Sequence, residues 1–139
     1  MIIKPHEIEK LNLSKNKFFL FYGENQGHKN QIINSDFKKM FLKNTYIFEE
    51  TEILANIRSF FDQILSRSFF EKEKLIIINR ATDKIKTILE EIIDKDIEDL
   101  VIVLNSNSLE KKSKIRSLFE KNKNTYCVPF YEDNHQTLN

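Results

Sequence analysis

Two short segments of this chain are apolar almost without interruption: Lys74-Leu75-Ile76-Ile77-Ile78 and Leu100-Val101-Ile102-Val103-Leu104. Successive side chains of an extended strand point to opposite faces, so a strand of this kind has both faces covered. A sheet built from such strands cannot rest with one side in water. It needs a layer of helices on each side, and the strands in it run parallel.

The rest of the chain supplies partners for both segments. Lys17-Phe18-Phe19-Leu20-Phe21-Tyr22 is a third apolar run and stops at Gly23. Thr45-Tyr46-Ile47-Phe48 and Tyr126-Cys127-Val128 read as two more. Strands are therefore expected near 17–22, 45–49, 74–79, 100–104 and 126–129. Between them, apolar residues recur at spacings of three and four, the mark of a helix with one buried stripe. The second stripe is the longest, with Ile53, Leu54, Ile57, Phe60, Phe61, Ile64 and Leu65. Thr51 and Asp83 are expected to cap helices, and Ser108 to begin the last one. The alternation gives an α/β domain of three layers around a five-stranded parallel sheet.

At 139 residues the chain is read as one domain, 1–139. The polar stretch from Tyr131 to Asn139 reads as a connection towards another domain. A formal net charge of +1 argues against a strongly basic nucleic-acid binder. The lysines and arginine of 111–116 fit a solvated helix face as well as a DNA contact. The single Cys127 excludes an internal disulfide and a cysteine zinc cluster, and reads as a small buried hydrophobe. His6, His28 and His135 lack metal-ligand spacing. No metal or other cofactor is expected. No segment approaches the ~20 apolar residues of a membrane span, and the start lacks the pattern of a secretory signal. The expected setting is cytoplasmic, with no membrane partner.

Open parallel sheets bind ligands beyond the carboxyl ends of their strands. The first loop there, Gly23-Glu24-Asn25-Gln26-Gly27-His28-Lys29-Asn30, invites comparison with the phosphate-binding pattern G-x-x-x-x-G-K-[ST]. Counted from Gly23, Lys29 falls at the lysine position. His28 occupies the second glycine, Gly27 comes one residue early, and Asn30 replaces the hydroxyl that holds Mg²⁺. The third strand ends in Asn79-Arg80, where working P-loop ATPases carry acidic residues. Asn105 keeps the polar residue that follows the fourth strand. These seven positions, Gly23, Gly27, His28, Lys29, Asn30, Asn79 and Asn105, read as a P-loop NTPase-like site that has degenerated. A two-component receiver would have the same element order, but its acidic residues at the first and third strand ends are missing. A nucleotide-binding P-loop ATPase or kinase-like domain with an atypical loop remains the alternative.

Several stretches in order resemble the delta subunit of bacterial DNA polymerase III. They are Leu20-Phe21-Tyr22-Gly23-Glu24-Asn25, Ser66-Arg67-Ser68-Phe69-Phe70, Lys74 to Asn79, Leu109 to Arg116, and Cys127 to Leu138. The resemblance implies the AAA+-type first domain of a clamp-loader subunit, with the family's lid and collar domains absent from these residues. It implies no ATP hydrolysis by the chain itself, within a larger DNA-directed DNA polymerase. It also implies binding to the beta sliding clamp and help in opening that ring for loading onto primed DNA. Other clamp-loader subunits would be partners in the full-length protein, and DNA only indirectly. The family's clamp motif, roughly Gln-x-x-Ser-Leu-Phe, falls on Leu65 to Phe70. The clamp-binding residues implied are Leu65, Ser68, Phe69 and Phe70, with Leu65 at the Gln position and Phe69 at the Leu position. Phe69 and Phe70 also stand out physically, as two large apolar groups between Ser66-Arg67-Ser68 and Glu71-Lys72-Glu73-Lys74.

Overall fold

Five strands form where the apolar runs predict them: β1 (Phe18–Tyr22), β2 (Thr45–Glu49), β3 (Lys74–Asn79), β4 (Leu100–Asn105) and β5 (Thr125–Pro129). The computed structural model of the chain describes residues 1–11, 18–39, 41, 44–70, 74–95, 97, 100–122 and 124–131, with the side chains of 66–70 outside that set. The strands make one parallel sheet in the order β2-β3-β4-β1-β5. Ile2 adds an isolated parallel bridge to Cys127 at the β5 edge.

Helices cover both faces, as the uninterrupted strands require. Phe19, Phe21, Leu75, Ile77, Val101, Val103 and Val128 face one side. There they meet Ile8 of a 3₁₀ helix (Pro5–Lys10), then Ile33 and Phe37 of a π-helical stretch (Ile33–Lys38) that continues α1 (Gln26–Ile32). Residues of the opposite parity, including Leu20, Ile76, Ile78, Ile102 and Leu104, face the other side. They pack on α2 (Glu50–Ala55), α3 (Ile57–Phe70), α4 (Lys86–Lys95) and α5 (Lys114–Lys121). Cys127 is fully buried, and burial pushes its thiol up to about 12. It is the packed, unreactive hydrophobe that its neighbours predict.

Four sequence expectations shift locally. The long second stripe belongs to two helices, because Asn56 leaves helical geometry at φ −151° and ψ 78°. Its side-chain oxygen then accepts the Ser59 N–H and caps α3. The break re-phases the helix. Ile53, Phe60 and Ile64 are buried, while Ile57 and Leu65 are 42% and 37% exposed. Thr51 is not the cap of α2: Glu49 precedes the helix, and the Glu52 carboxylate reaches back to the Glu49 N–H at 2.9 Å.

Asp83 and Ser108 are also reassigned. Thr82 caps the 3₁₀ turn (Asp83–Ile85) that leads into α4. Helix α5 starts at Lys114 rather than near Ser108, with Ser113 as its cap. The Asp83 carboxylate crosses to that helix start and accepts from Ser113 Oγ at 2.6 Å and Ile115 N–H at 3.0 Å. The Ser113 hydroxyl and the Ile115 amide hold the Asp83 carboxyl below its ordinary value of 3.8. A depressed folded-state pKa adds stability that is present above the unfolded value and lost as pH falls through the folded one. Asp83→Ala should therefore cost about 1 kcal/mol at pH 7, the usual loss for a helix-capping oxygen. The gap from wild type should shrink below about pH 4. Urea denaturation of both proteins at pH 7 and pH 3 checks this; an equal gap at the two values would contradict it.

Candidate functional site

The carboxyl ends of β2, β3 and β4 lie side by side, with Glu49 paired to Asn79 and Asn79 to Asn105 in the sheet register. Their side chains form a hydrogen-bonded row. Asn105 Nδ2 donates to Asn79 Oδ1 at 3.2 Å, and Asn79 Nδ2 donates to Glu49 Oε2 at 3.3 Å. Arg80 Nε closes the row on Glu49 Oε1 at 2.7 Å. Arg80 is the one non-glycine among the described residues with positive φ, at 55°. Just beyond it, Thr82 N–H and Oγ donate to the buried Glu50 carboxylate at 2.7 and 2.8 Å.

This row forms the floor of a cleft of about 360 Å³, also lined by Gln26, Asn30 and Asn107. The donor set is mostly amide. Its one carboxylate, Glu49, is already matched by Arg80. Among the described residues, no three His, Cys, Asp or Glu come together as a metal-binding group would require.

The loop after β1 is built as a strand-to-helix turn. Gly23 sits at φ +116°, a conformation L side chains rarely adopt. Asn25 caps α1 by accepting the His28 N–H at 3.0 Å and donates to the Tyr131 carbonyl at 3.0 Å. The His28 ring stands edge-on to Phe130, with ring centroids 5.0 Å apart. Its side chain thus goes to a packing contact beside β5. A Cβ on Gly27 would meet nothing closer than Asn25 Oδ1, at an ordinary contact distance of 3.8 Å. Asn30 is exposed and accepts from Gln26 Nε2 at 3.1 Å.

Lys29 is fully buried. Its ammonium donates to the Gly23 carbonyl at 2.8 Å and the Ser106 carbonyl at 2.7 Å. Burial lowers its pKa below the ordinary lysine value.

The seven loop and strand-end positions therefore gather along one edge of the sheet, but in two groups. Asn30, Asn79 and Asn105 line the cleft. Gly23, Gly27, His28 and Lys29 belong to the strand-to-helix turn after β1 and the start of α1, away from the cleft lining. Sequence reading missed Glu49 and Ser106. Glu49 ends the strand that pairs with Asn79, and Ser106 follows Asn105, but only the sheet register brings either residue into play.

The second group of candidate residues lies at the far end of α3. That helix runs unbroken from Ile57 to Phe70 and ends shortly before β3. Leu65 is on its exposed side. The side chains of Ser68, Phe69 and Phe70 lie outside the described residues.

No curated protein sequence gives a significant match to the chain. A protein family does, over residues 19–129, a span reaching from the second residue of β1 to the last residue of β5. The matched region therefore takes in the parallel sheet, the loop at Gly23 and the end of α3. The family is described as DNA polymerase III, delta subunit, and the chain belongs to it.

Proposed function

We propose that this domain is the clamp-binding part of a DNA polymerase III clamp loader: it grips the beta sliding clamp and helps open the ring for loading onto primed DNA. Family membership supports the assignment to the loader. The observation that carries the finer reading is the end of α3. Helix α3 continues to Phe70, so Ser68, Phe69 and Phe70 fall in its last turn in sequence, and Leu65, about a turn earlier, is 37% exposed. Aromatic anchors that fill a partner's pocket are the usual centre of a protein interface. Leu65 replaces the polar residue of the family motif, so the contact proposed here is more apolar than the motif. Assembly with other loader subunits would use the family's lid and collar domains, and contact with DNA would be indirect.

We read the fold as an AAA+-type domain that has lost its nucleotide. Lys29 bonds to carbonyls, Asn79 is tied into the amide row, and Arg80 brings a positive charge to the strand end. A metal-bound nucleotide would need carboxylate and hydroxyl ligands there. With ATP·Mg²⁺, the purified protein is expected to show no turnover above background. Turnover that vanishes in Lys29→Ala would contradict this and favour a P-loop ATPase.

Calorimetric titration with the cognate sliding clamp tests the main proposal. A saturable complex of fixed stoichiometry is expected. The absence of any complex at micromolar concentrations would contradict the reading.

A further inference from the structure

We propose that Lys29 is a built-in replacement for a ligand at the crevice of this sheet: its ammonium staples together the two loops that a bound phosphate would otherwise bridge. The inference concerns the sheet edge and is independent of clamp binding through α3.

The position is set by topology. β1 and β4 are neighbours, yet the chain leaves them in opposite directions. After β1 it turns to α1, on the face of Phe19 and Phe21; after β4 it goes to α5, on the face of Leu20 and Leu104. Two diverging loops leave a crevice at such a switch point, the usual ligand site of an open parallel sheet. Lys29 takes one carbonyl from each loop, Gly23 after β1 and Ser106 after β4.

The polarity of the crevice fits this role and opposes phosphate. A phosphate cradle points backbone N–H groups at the anion and sends its lysine outward to meet it. Here two carbonyl oxygens point at a buried ammonium, at distances typical of charge-assisted bonds. To reach a phosphate, Lys29 would have to leave both carbonyls without a donor, which buried polar groups resist. The loops are joined elsewhere too. The Ser106 N–H donates to Phe21 O at 2.7 Å, Ser106 Oγ to Ala81 O at 2.8 Å, and the Gly23 N–H to Asn107 O at 3.2 Å. The lysine is the charged member of a network that knits the ends of β1, β3 and β4.

A phosphate-binding lysine and a staple give opposite results on substitution. Thermal melts of the full chain as wild type, Lys29→Met and Lys29→Arg would be recorded alone, with ATP·Mg²⁺ and with tripolyphosphate. Lys29→Met keeps the length and removes both bonds. Its melting temperature should fall by on the order of 10 °C. Amide exchange at Gly23 and Ser106 should quicken about tenfold or more relative to β3. Lys29→Arg should lose less, and neither polyphosphate should raise any melting temperature. Lys29→Met melting and exchanging like wild type would overturn the proposal. So would a polyphosphate stabilisation of wild type that Lys29→Met lacks. Should Lys29→Met fail to fold, wild-type exchange decides. The Gly23 and Ser106 amides should open only with global unfolding, and local opening at either would count against the staple.

Discussion

Gly23→Ala is expected to destabilise the protein by about 3–5 kcal/mol, a large share of the stability of an ordinary domain. Gly27→Ala, four residues on, should instead be neutral or gain up to about 1 kcal/mol. A Cβ on Gly23 would lie 2.1 Å from the Phe130 carbonyl oxygen and 2.8 Å from its carbon. That carbonyl cannot easily give way. The Phe130 N–H donates to Tyr22 O at 2.7 Å, its carbonyl accepts the Asn25 N–H at 3.3 Å, and its ring is fully buried. The φ of +116° adds strain for any L side chain. At Gly27 the nearest atom to a new Cβ is Asn25 Oδ1, at an ordinary 3.8 Å, and alanine suits a helix better. The melting temperature of Gly23→Ala should drop by roughly 10–20 °C. Equal effects at the two positions would show that this loop does not have the geometry described.

The contrast bears on what the loop is for. In a working phosphate loop the later glycine keeps side chains clear of the anion, and the lysine is spent on the ligand. Here the later glycine is free to carry a side chain, and the lysine is spent on the protein. Gly23 alone keeps a strict backbone role.

The layered architecture was legible because burial on two faces leaves a plain trace. No polar residue could sit at either parity of Leu75–Ile78 or Leu100–Leu104, and both strands are buried throughout those residues. Helix starts were less legible. Thr51, Asp83 and Ser108 are all chemically able to cap, and sequence spacing does not say which backbone amides each will reach. Asp83 caps a helix thirty residues away because the sheet brings α4 and α5 together. Asn56 lies inside the long apolar stripe, yet its side chain bonds locally and splits the helix. At the candidate site, the losses at His28, Asn30, Asn79 and Arg80 could be read from the motif. The inward turn of Lys29 could not, because the carbonyl of Ser106 is seventy-seven residues away in sequence.

Substituting both Phe69→Ala and Phe70→Ala should abolish clamp binding while leaving the fold intact. Loss of one aromatic anchor from a desolvated pocket costs about 2–4 kcal/mol. At ~1.4 kcal/mol per tenfold, each single change should weaken the complex roughly 30- to 1,000-fold. Stability separates an interface role from a core role. Among the described side chains of α3, Phe60 and Ile64 are buried against the sheet, with Phe61 packed beside them, and all three precede the pair by one to three turns. A Phe→Ala change at a core position would cost about 3–5 kcal/mol of folding free energy. The direct measurement is a titration of wild-type and doubly substituted protein with the cognate sliding clamp, with a thermal melt of each. The account predicts saturable binding by wild type, none detectable by the double variant, and melting temperatures within about 2 °C of each other. A folded double variant that binds at wild-type strength would contradict it, as would one whose lost binding is matched by a collapse in melting temperature.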